Sequence, residues 1–357
     1  MDDQFFMQQA LELARVPSFT SPNPRVGAVM VRDGAVIATG FHAGAGHPHA
    51  EAVALAAADC RGATCYVTLE PCNHHGRTPP CAPALVEAGV THVVVALRDP
   101  DPRVDGSGIA YLEEHGVRVT TGVLERDAEF VNLPFLHHRR TGTPLVTLKL
   151  ALSLDGRAAA ADGSARWISG PAARRRVHER RVEADAVLVG AGTVVADDPS
   201  LTVRDVPAGR QPVRVIVDSR GRVPATARVF GPGGDLVMVT TELAPHEVQA
   251  RWKEAGAEVI VVPSRHGRVD LGAAIASFGD RGWIEILCEG GAELATGLLS
   301  AGLVGRLEFF YGPVIVGKGP LIRDFGVATL ADAPRFRIAE SERLDDDLHV
   351  VYVPEAR

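Results

Sequence analysis

Thr68-Leu69-Glu70-Pro71-Cys72-Asn73-His74-His75-Gly76-Arg77-Thr78-Pro79-Pro80-Cys81, read together with His49-Ala50-Glu51, decides the fold of the first part of this chain. Cys65 to Leu69 is an apolar strand of β type, and Pro71 ends it in a polar loop that leads into a helix running through Glu87. His49 to Ala58 is alanine-rich, a composition that favours helix. Working outward, Phe5 to Ala14 carries helical apolar spacing that stops before Pro17, and Ser18 to Pro24 is loop. Gly27 to Val31 and Val36 to Thr39 read as strands joined by a hairpin at Asp33-Gly34. Val93 to Leu97 and Val117 to Thr120 are further short strands. Strands alternating with helices imply an α/β layered sheet.

The residue types in the opening stretch point to one chemistry. A His and a Glu at a helix start, followed by Pro-Cys after a strand, is the arrangement of zinc deaminases. Replacing an amine by water needs an activated water at neutral pH and a proton for the departing ammonia. Zinc with three protein ligands keeps a fourth position for water and lowers its pKa to about 7. His49, Cys72 and Cys81 are the candidate ligands, and Glu51 is the candidate proton carrier. Two residues past His49 on a helix, Glu51 points away from it and reaches over the open face of the metal rather than binding it. The spacing departs from the usual C-x-x-C, since eight residues separate Cys72 from Cys81. A closed structural zinc site would want a fourth ligand, which His74 or His75 could supply, but it leaves Glu51 unexplained.

The polar break Arg139-Arg140-Thr141-Gly142-Thr143-Pro144 marks a domain boundary, giving units 1–142 and 143–357. After it the alternation restarts with Leu145 to Leu150, Ala186 to Val189, Val213 to Val217, Leu236 to Val239, Glu258 to Val262 and Glu285 to Cys288, and Arg335 to Val353 reads as a closing pair of strands. Glu289-Gly290-Gly291-Ala292-Glu293-Leu294 follows a strand. Glycines there let backbone N–H groups approach a phosphate at a helix start, although a tight turn explains them equally well. The net charge of −7 and an aromatic content of 5% argue against a nucleic-acid groove and hence against an editing deaminase. No apolar run approaches the roughly 20 residues that cross a bilayer, and the N-terminus lacks the pattern of a signal peptide. Five cysteines fit metal binding or burial better than a disulfide framework, so a cytoplasmic protein is expected. Only Lys149, Lys253 and Lys318 are lysine among the 37 Lys+Arg, a hint that a compact ammonium is needed where one is kept.

The N-terminal half resembles the deaminase domain of the bifunctional riboflavin-biosynthesis deaminase/reductases. The matching stretches are Ser21-Pro22-Asn23-Pro24-Arg25-Val26-Gly27, Gly46-His47-Pro48-His49-Ala50-Glu51, Thr68-Leu69-Glu70-Pro71-Cys72, Gly76-Arg77-Thr78-Pro79-Pro80-Cys81 and Asp99-Pro100-Asp101-Pro102-Arg103-Val104. The longer cysteine spacing belongs to that family. The resemblance implies a cytidine-deaminase-like three-layer domain with one zinc ion. Asn23 is then expected to grip a pyrimidine edge, and His42, His74 and Arg77 to face the ribose phosphate. Read alone, Asn23 between prolines is equally a turn residue and His42 a solvated loop residue.

The second half resembles the same family's reductase domain, whose fold is dihydrofolate-reductase-like. Lys149 with Ser153-Leu154-Asp155-Gly156-Arg157, Trp167-Ile168-Ser169, Gly192-Thr193-Val194, Asp197 to Arg204, Asp218-Ser219 and Glu289-Gly290-Gly291 carry the likeness, which fades after about Asp324. It implies NADPH-dependent reduction of a ribose to a ribityl chain. Ala151, Trp167, Thr193, Asp197, Ser219 and the run Gly291, Ala292, Glu293, Leu294, Ala295, Thr296 and Gly297 would line the dinucleotide. Ala165, Arg181, Leu201, Arg204 and Glu289 would hold the substrate, the arginines at its phosphate, with Lys149 polarising the sugar oxygen or holding the substrate. Asp197 and Asp198 serve equally well as caps, and Trp167 as ordinary packing. The family commonly has Ser where Ala165 stands, so either Ser164 shifts in or a hydrogen bond worth about 0.5–1.5 kcal/mol is missing. The resemblance also implies a dimer or tetramer acting on a small phosphoribosyl pyrimidine, with neither nucleic acid nor membrane as partner.

Overall fold

In the computed structural model, which describes residues 2–74, 78–101, 104–165, 167–319, 322 and 324–355, Asp33 and Gly34 take left-handed backbone at φ 52° and 75°. They turn strand β1 (Gly27–Arg32) back into β2 (Ala35–Phe41). Helix α1 (Asp3–Arg15) buries Phe6, Met7, Ala10, Leu11 and Ala14, one face at helical spacing, and packs on β1. Helix α2 (Ala50–Ala57) lies against β2, and the approach is close. A Cβ on Gly40 would sit 2.2 Å from the Ala50 carbonyl oxygen, so the strand touches the start of α2 through a residue without a side chain.

The first unit, Met1–Gly142, continues with β3 (Thr64–Val67), α3 (Cys81–Glu87), β4 (His92–Val95), α4 (Ser107–Glu114), β5 (Arg118–Thr121), α5 (Glu125–Val131) and α6 (Leu133–Thr141). The strands order as β2-β1-β3-β4-β5. β1 is antiparallel to both neighbours, and β3, β4 and β5 run parallel. Of the parallel strands, β3 and β4 are short and largely buried, while β5, at the sheet edge, is polar and partly exposed. His92 to Val95 is buried throughout.

The second unit, Thr143–Arg357, holds β6 (Leu145–Leu152), α7 (Pro171–Glu183), β7 (Ala186–Gly190), α8 (Ala191–Asp197), β8 (Val213–Val217), β9 (Leu236–Thr240), α9 (His246–Glu254) and β10 (Glu258–Val261). The small pair β11 (Ser264–Arg265) and β12 (Arg268–Val269) follows, then α10 (Leu271–Gly279), β13 (Glu285–Cys288), α11 (Ala292–Ser300), β14 (Val304–Tyr311), β15 (Phe336–Leu344) and β16 (Asp347–Pro354). The main sheet orders as β10-β9-β8-β7-β13-β6-β14-β16-β15, parallel as far as β14 and antiparallel in the closing hairpin. The chain winds outward from β7 to β10, returns to insert β13 beside β6, and then adds β14 on the other side. The direction of winding therefore reverses around β6 and β13, where open α/β sheets place ligands at the carboxyl ends of the strands.

Strand β14 is absent from the sequence expectation, and its charges are the reason. Arg306 and Glu308 are buried on it inside an ion network with Arg180, Glu285 and Thr147. Arg180 Nε donates to Glu308 at 2.9 Å and Nη2 to Glu285 at 2.5 Å, while Arg306 pairs with both glutamates. Each buried charge has an opposite neighbour, the condition under which a sheet interior tolerates it. Among the described residues no helix is long and apolar enough to cross a membrane.

Gly40→Ala forces β2 and α2 apart and costs about 1–3 kcal/mol as overpacking. The expected readout in the intact chain is faster amide exchange in β2 and α2 with β9 unchanged; unchanged exchange in α2 contradicts this packing.

Candidate functional site

The first turn of α2 and the start of α3 meet at one point. His49 is the residue before α2, in extended backbone, and Cys81 is the first residue of α3. The Ala82 N–H donates to the Cys72 carbonyl at 3.1 Å, which closes the loop between the cysteines and sets their sulfurs side by side. His49 Nδ1 lies 3.6 Å from Cys72 Sγ and 3.3 Å from Cys81 Sγ. The three donor atoms all fall within 4.8 Å of one another, and His74 is no part of that cluster. Thr78 Oγ1 sits 3.1 Å from His49 Nε2. With the ring proton on Nε2 donated there, the Nδ1 lone pair faces the sulfurs, and Thr78 fixes the orientation of a metal-binding imidazole.

The electrostatics suit a cation. A hydrogen bond from Cys81 pulls the Cys72 thiol down to about 4 against its burial, and Cys81, as the donor, is pushed up. One imidazole and two thiols with an open side match a three-ligand zinc site in donor type and number. Glu51 is 3% exposed, and burial pushes its carboxyl up to about 7, so the group is poised to hold or release a proton near neutrality.

Around this point the other expected residues are placed as follows. Asn23 Nδ2 donates to His42 Nε2 at 2.9 Å, and His42 Nδ1 donates to the Pro48 carbonyl at 3.0 Å. Burial lowers the His42 imidazole and so favours the neutral ring that this pairing needs. Asn23, His42, His49, Cys72 and His74 line one pocket wall, and the buried Nδ1 of His74 has no hydrogen-bond partner. Arg77 lies outside the described residues.

The opposite wall was missed as a site by sequence reasoning: Glu70, Asp99, Asp101, Phe135 and Arg139. Glu70 accepts N–H bonds from Asp99 and Gly106 on one oxygen and from Gly108 and Ile109 on the other, at 3.0–3.3 Å. It fixes the backbone that carries Asp99, whose carboxyl is pushed up to about 6 by burial. Thr78 was also missed, because a lone threonine in a polar loop carries no signal of its own.

In the second unit the expected residues gather at the carboxyl ends of the strands. Lys149 on β6 has a side chain 17% exposed and lies 3.9 Å from Glu289, which follows β13. Arg181 on α7 forks onto Glu289 through Nε at 2.6 Å and Nη2 at 3.1 Å, and its Nη1 donates to the Thr202 carbonyl at 2.8 Å. Burial alone would raise the Glu289 carboxyl, but the Arg181 and Lys149 charges hold it at about 2. Arg181, expected at a phosphate, thus spends its fork inside the protein. Leu201 is buried and, at φ 56°, in left-handed backbone that costs a non-glycine residue about 1–2 kcal/mol; Asp198 and Asp205 flank it at φ 42° and 65°. Arg204 is exposed, with Nη1 bonded to Ser200 Oγ at 3.1 Å.

The residues expected at a dinucleotide divide. Thr193 Oγ1 accepts the Gly291 N–H at 3.2 Å, joining α8 to the start of α11. Leu294 and Ala295 bury their side chains in the core, Thr296 bonds back to Ala292, Glu293 pairs with Arg268, and Gly297 faces Leu271. A contact from α11 would therefore come through the backbone of its first turn. Ser219 Oγ accepts the Val269 N–H at 3.0 Å, Asp197 is the exposed last residue of α8, and Ala151 is half-buried on β6. Trp167 is 65% exposed and lies under the Arg174 guanidinium at 4.4 Å. Ala165 is exposed, and the neighbouring Ser164 Oγ donates to Asp162 at 2.6 Å.

Residues 1–97 match the cytidine and deoxycytidylate deaminase zinc-binding region, and residues 144–350 match the RibD C-terminal domain. The riboflavin biosynthesis protein RibD of Escherichia coli is 40% identical over 370 residues, covering 98% of this chain and 100% of that protein. A solved structure of RibD from Acinetobacter baumannii aligns with a TM-score of 0.85 at 38% identity, over 99% of both chains. The diaminohydroxyphosphoribosylaminopyrimidine deaminase/5-amino-6-(5-phosphoribosylamino)uracil reductase of Thermotoga maritima aligns with a TM-score of 0.85 at 36% identity, also over 99% of both. The first unit accordingly has a cytidine-deaminase-like fold and the second a dihydrofolate-reductase-like fold. The likeness does not end near Asp324, as its motifs alone suggested, but runs on through the closing hairpin.

Glu70→Ala strands four amides without an acceptor and costs about 1–3 kcal/mol. Faster amide exchange over residues 104–109, with α2 unaffected, is the expected result in the intact chain; full protection there contradicts the clamp.

Proposed function

We infer that this chain, which belongs to the RibD family of riboflavin-biosynthesis deaminase/reductases, runs both reactions of that family on one polypeptide. Residues 1–142 deaminate 2,5-diamino-6-(5-phosphoribosylamino)pyrimidin-4-one by hydrolysis, and residues 143–357 reduce the ribose of the product to a ribityl chain. The observation that carries the reading is the cluster of His49 Nδ1 and two cysteine sulfurs with the buried Glu51 carboxyl beside it.

Zinc supplies Lewis acidity in the first reaction and NADPH the hydride in the second. The chain's own residues do the rest. His49, Cys72 and Cys81 would hold the zinc, with Thr78 fixing the imidazole. Glu51 takes one proton from the attacking water and passes it to the ring nitrogen, then moves the remaining proton of the added hydroxyl to the amine, which leaves as ammonia; both transfers suit a carboxyl with a pKa near 7. His42 fixes the Asn23 amide, whose free oxygen and second N–H then meet the pyrimidine edge. His74 and Arg77 take the ribose phosphate.

For the reduction, Lys149 on β6 polarises the sugar oxygen, its ammonium held in place by Glu289. Burial lowers the Lys149 ammonium, and Glu289 pulls the other way. Arg204 takes the phosphate, while Arg181 orients Glu289 and the backbone at Thr202. Backbone amides from Ala292 onward meet a dinucleotide phosphate at the start of α11. Ala151, Trp167, Thr193, Asp197 and Ser219 flank the dinucleotide. Ala165 leaves the substrate short of one hydrogen bond. None of the five cysteines is in a disulfide, which fits work in the cytoplasm, and the family points to a dimer or tetramer.

Two variants test the division of labour. Glu51→Gln is expected to keep about one zinc per chain yet lower the deamination kcat by roughly 10²–10⁴-fold, with NADPH oxidation on the deaminated intermediate intact. Deamination at full rate in that variant removes the assigned role. Lys149→Ala is expected to lower reduction by roughly 10²-fold or more and leave ammonia release unchanged. If the unmodified chain oxidises no NADPH at any concentration of the intermediate, the second unit is a scaffold rather than a reductase.

A further inference from the structure

The segment from Asp198 to Asp205 bonds to α7 with Asp198, Leu201 and Asp205 in left-handed backbone, which the aspartates tolerate and Leu201 does not favour. It is held by bonds to its main chain. Gln211 Oε1 accepts the Val203 N–H at 2.6 Å and Gln211 Nε2 donates to the Val203 carbonyl at 3.2 Å. Arg181 Nη1 donates to the Thr202 carbonyl, and His178 Nδ1 accepts the Arg204 N–H at 3.3 Å. His178 and Arg181 are three apart on α7 and share one face of it, both buried.

We propose that His178 is a positioning residue of the reductase substrate site, fixing the Arg204 backbone and so aiming the Arg204 side chain at the substrate phosphate. The inference rests on the reading of Leu201 and Arg204 as substrate-holding. An imidazole can accept at Nδ1 only while that nitrogen is unprotonated. The surroundings keep it so: burial first, then the Arg181 and Arg204 charges, push the His178 ring down to about 4, against the smaller pull of Glu289 and Asp205. The acceptor therefore survives at any pH where the enzyme works. No other hydrogen bond ties α7 to the Arg204 main chain among the described residues. A residue that only filled space at position 178 would leave that amide unpaired.

The test uses the full-length zinc-loaded chain, with NADPH oxidation measured on 5-amino-6-(5-phosphoribosylamino)uracil. His178→Leu is expected to raise KM for that substrate on the order of tenfold, with kcat and the KM for NADPH within about twofold. His178→Asn, whose Oδ1 sits on Cγ as Nδ1 does, is expected to restore KM to within about threefold. The double variant His178→Leu/Arg204→Ala should be no worse than Arg204→Ala alone. If Arg204→Ala raises KM but His178→Leu does not, the positioning role is overturned and the reading of the segment stands. If Arg204→Ala leaves KM unchanged, that reading falls and the inference with it. A fall in kcat alone in His178→Leu also overturns it. Should the leucine variant fail to fold, amide exchange in the unmodified chain decides: a protected Arg204 N–H supports the bond, and free exchange refutes it.

Discussion

Three soft donor atoms brought within 4.8 Å of one another impose the main constraint on the first unit. Thiol and imidazole groups packed that closely, with a carboxyl buried beside them, are poorly matched in the absence of a cation. The chain holds them together by main-chain means. An Ala82 N–H to Cys72 carbonyl bond closes the loop between the cysteines, and a side-chain-free contact at Gly40 seats the helix that carries Glu51. Helix starts and a strand end converge because β2 and β3, each antiparallel to the β1 between them, run the same way and end at the same edge of the sheet. The surrounding fold can then be seen as the means of holding an imidazole, two sulfurs and a proton carrier in register.

The second unit is organised around a different constraint, the burial of charge on one face of a parallel sheet. Arg180, Glu285, Arg306 and Glu308 form a buried set that Glu183 and His349 extend, and Arg181, Glu289 and Lys149 form a second one. Removing one member of such a set leaves its partner buried without compensation, which costs more than the pair is worth. The same helix, α7, supplies Arg180 to the first set and Arg181 to the second. Adjacent residues on a helix point in different directions, so one short sequence can serve the core and the site together.

Much of this was legible in the residues. The hairpin at Asp33-Gly34, the strand and helix flanking Cys72 and Cys81, and the parallel run of short apolar strands follow from turn chemistry, period and composition. The donor set was legible because thiol, imidazole and carboxyl at those places have few other uses. What escaped has physical causes. β14 contains Arg306 and Glu308, whose burial depends on partners far away in sequence, so its pattern is not that of a core strand. Thr78, Glu70, His178 and Gln211 act on backbone groups or on other ligands, and nothing in their local sequence marks them. Leu294 and Ala295, in a run that sequence likeness assigns whole to the cofactor, turn out to point into the core because a helix shows only one face to a ligand.

Zinc-edge X-ray absorption on the purified chain reads the donor set itself. About one zinc per chain is expected, with two sulfur scatterers near 2.3 Å, one imidazole near 2.0–2.1 Å and one further light atom not contributed by the protein. A spectrum requiring two imidazoles, or a third sulfur, would mean a closed structural site and would contradict that donor set.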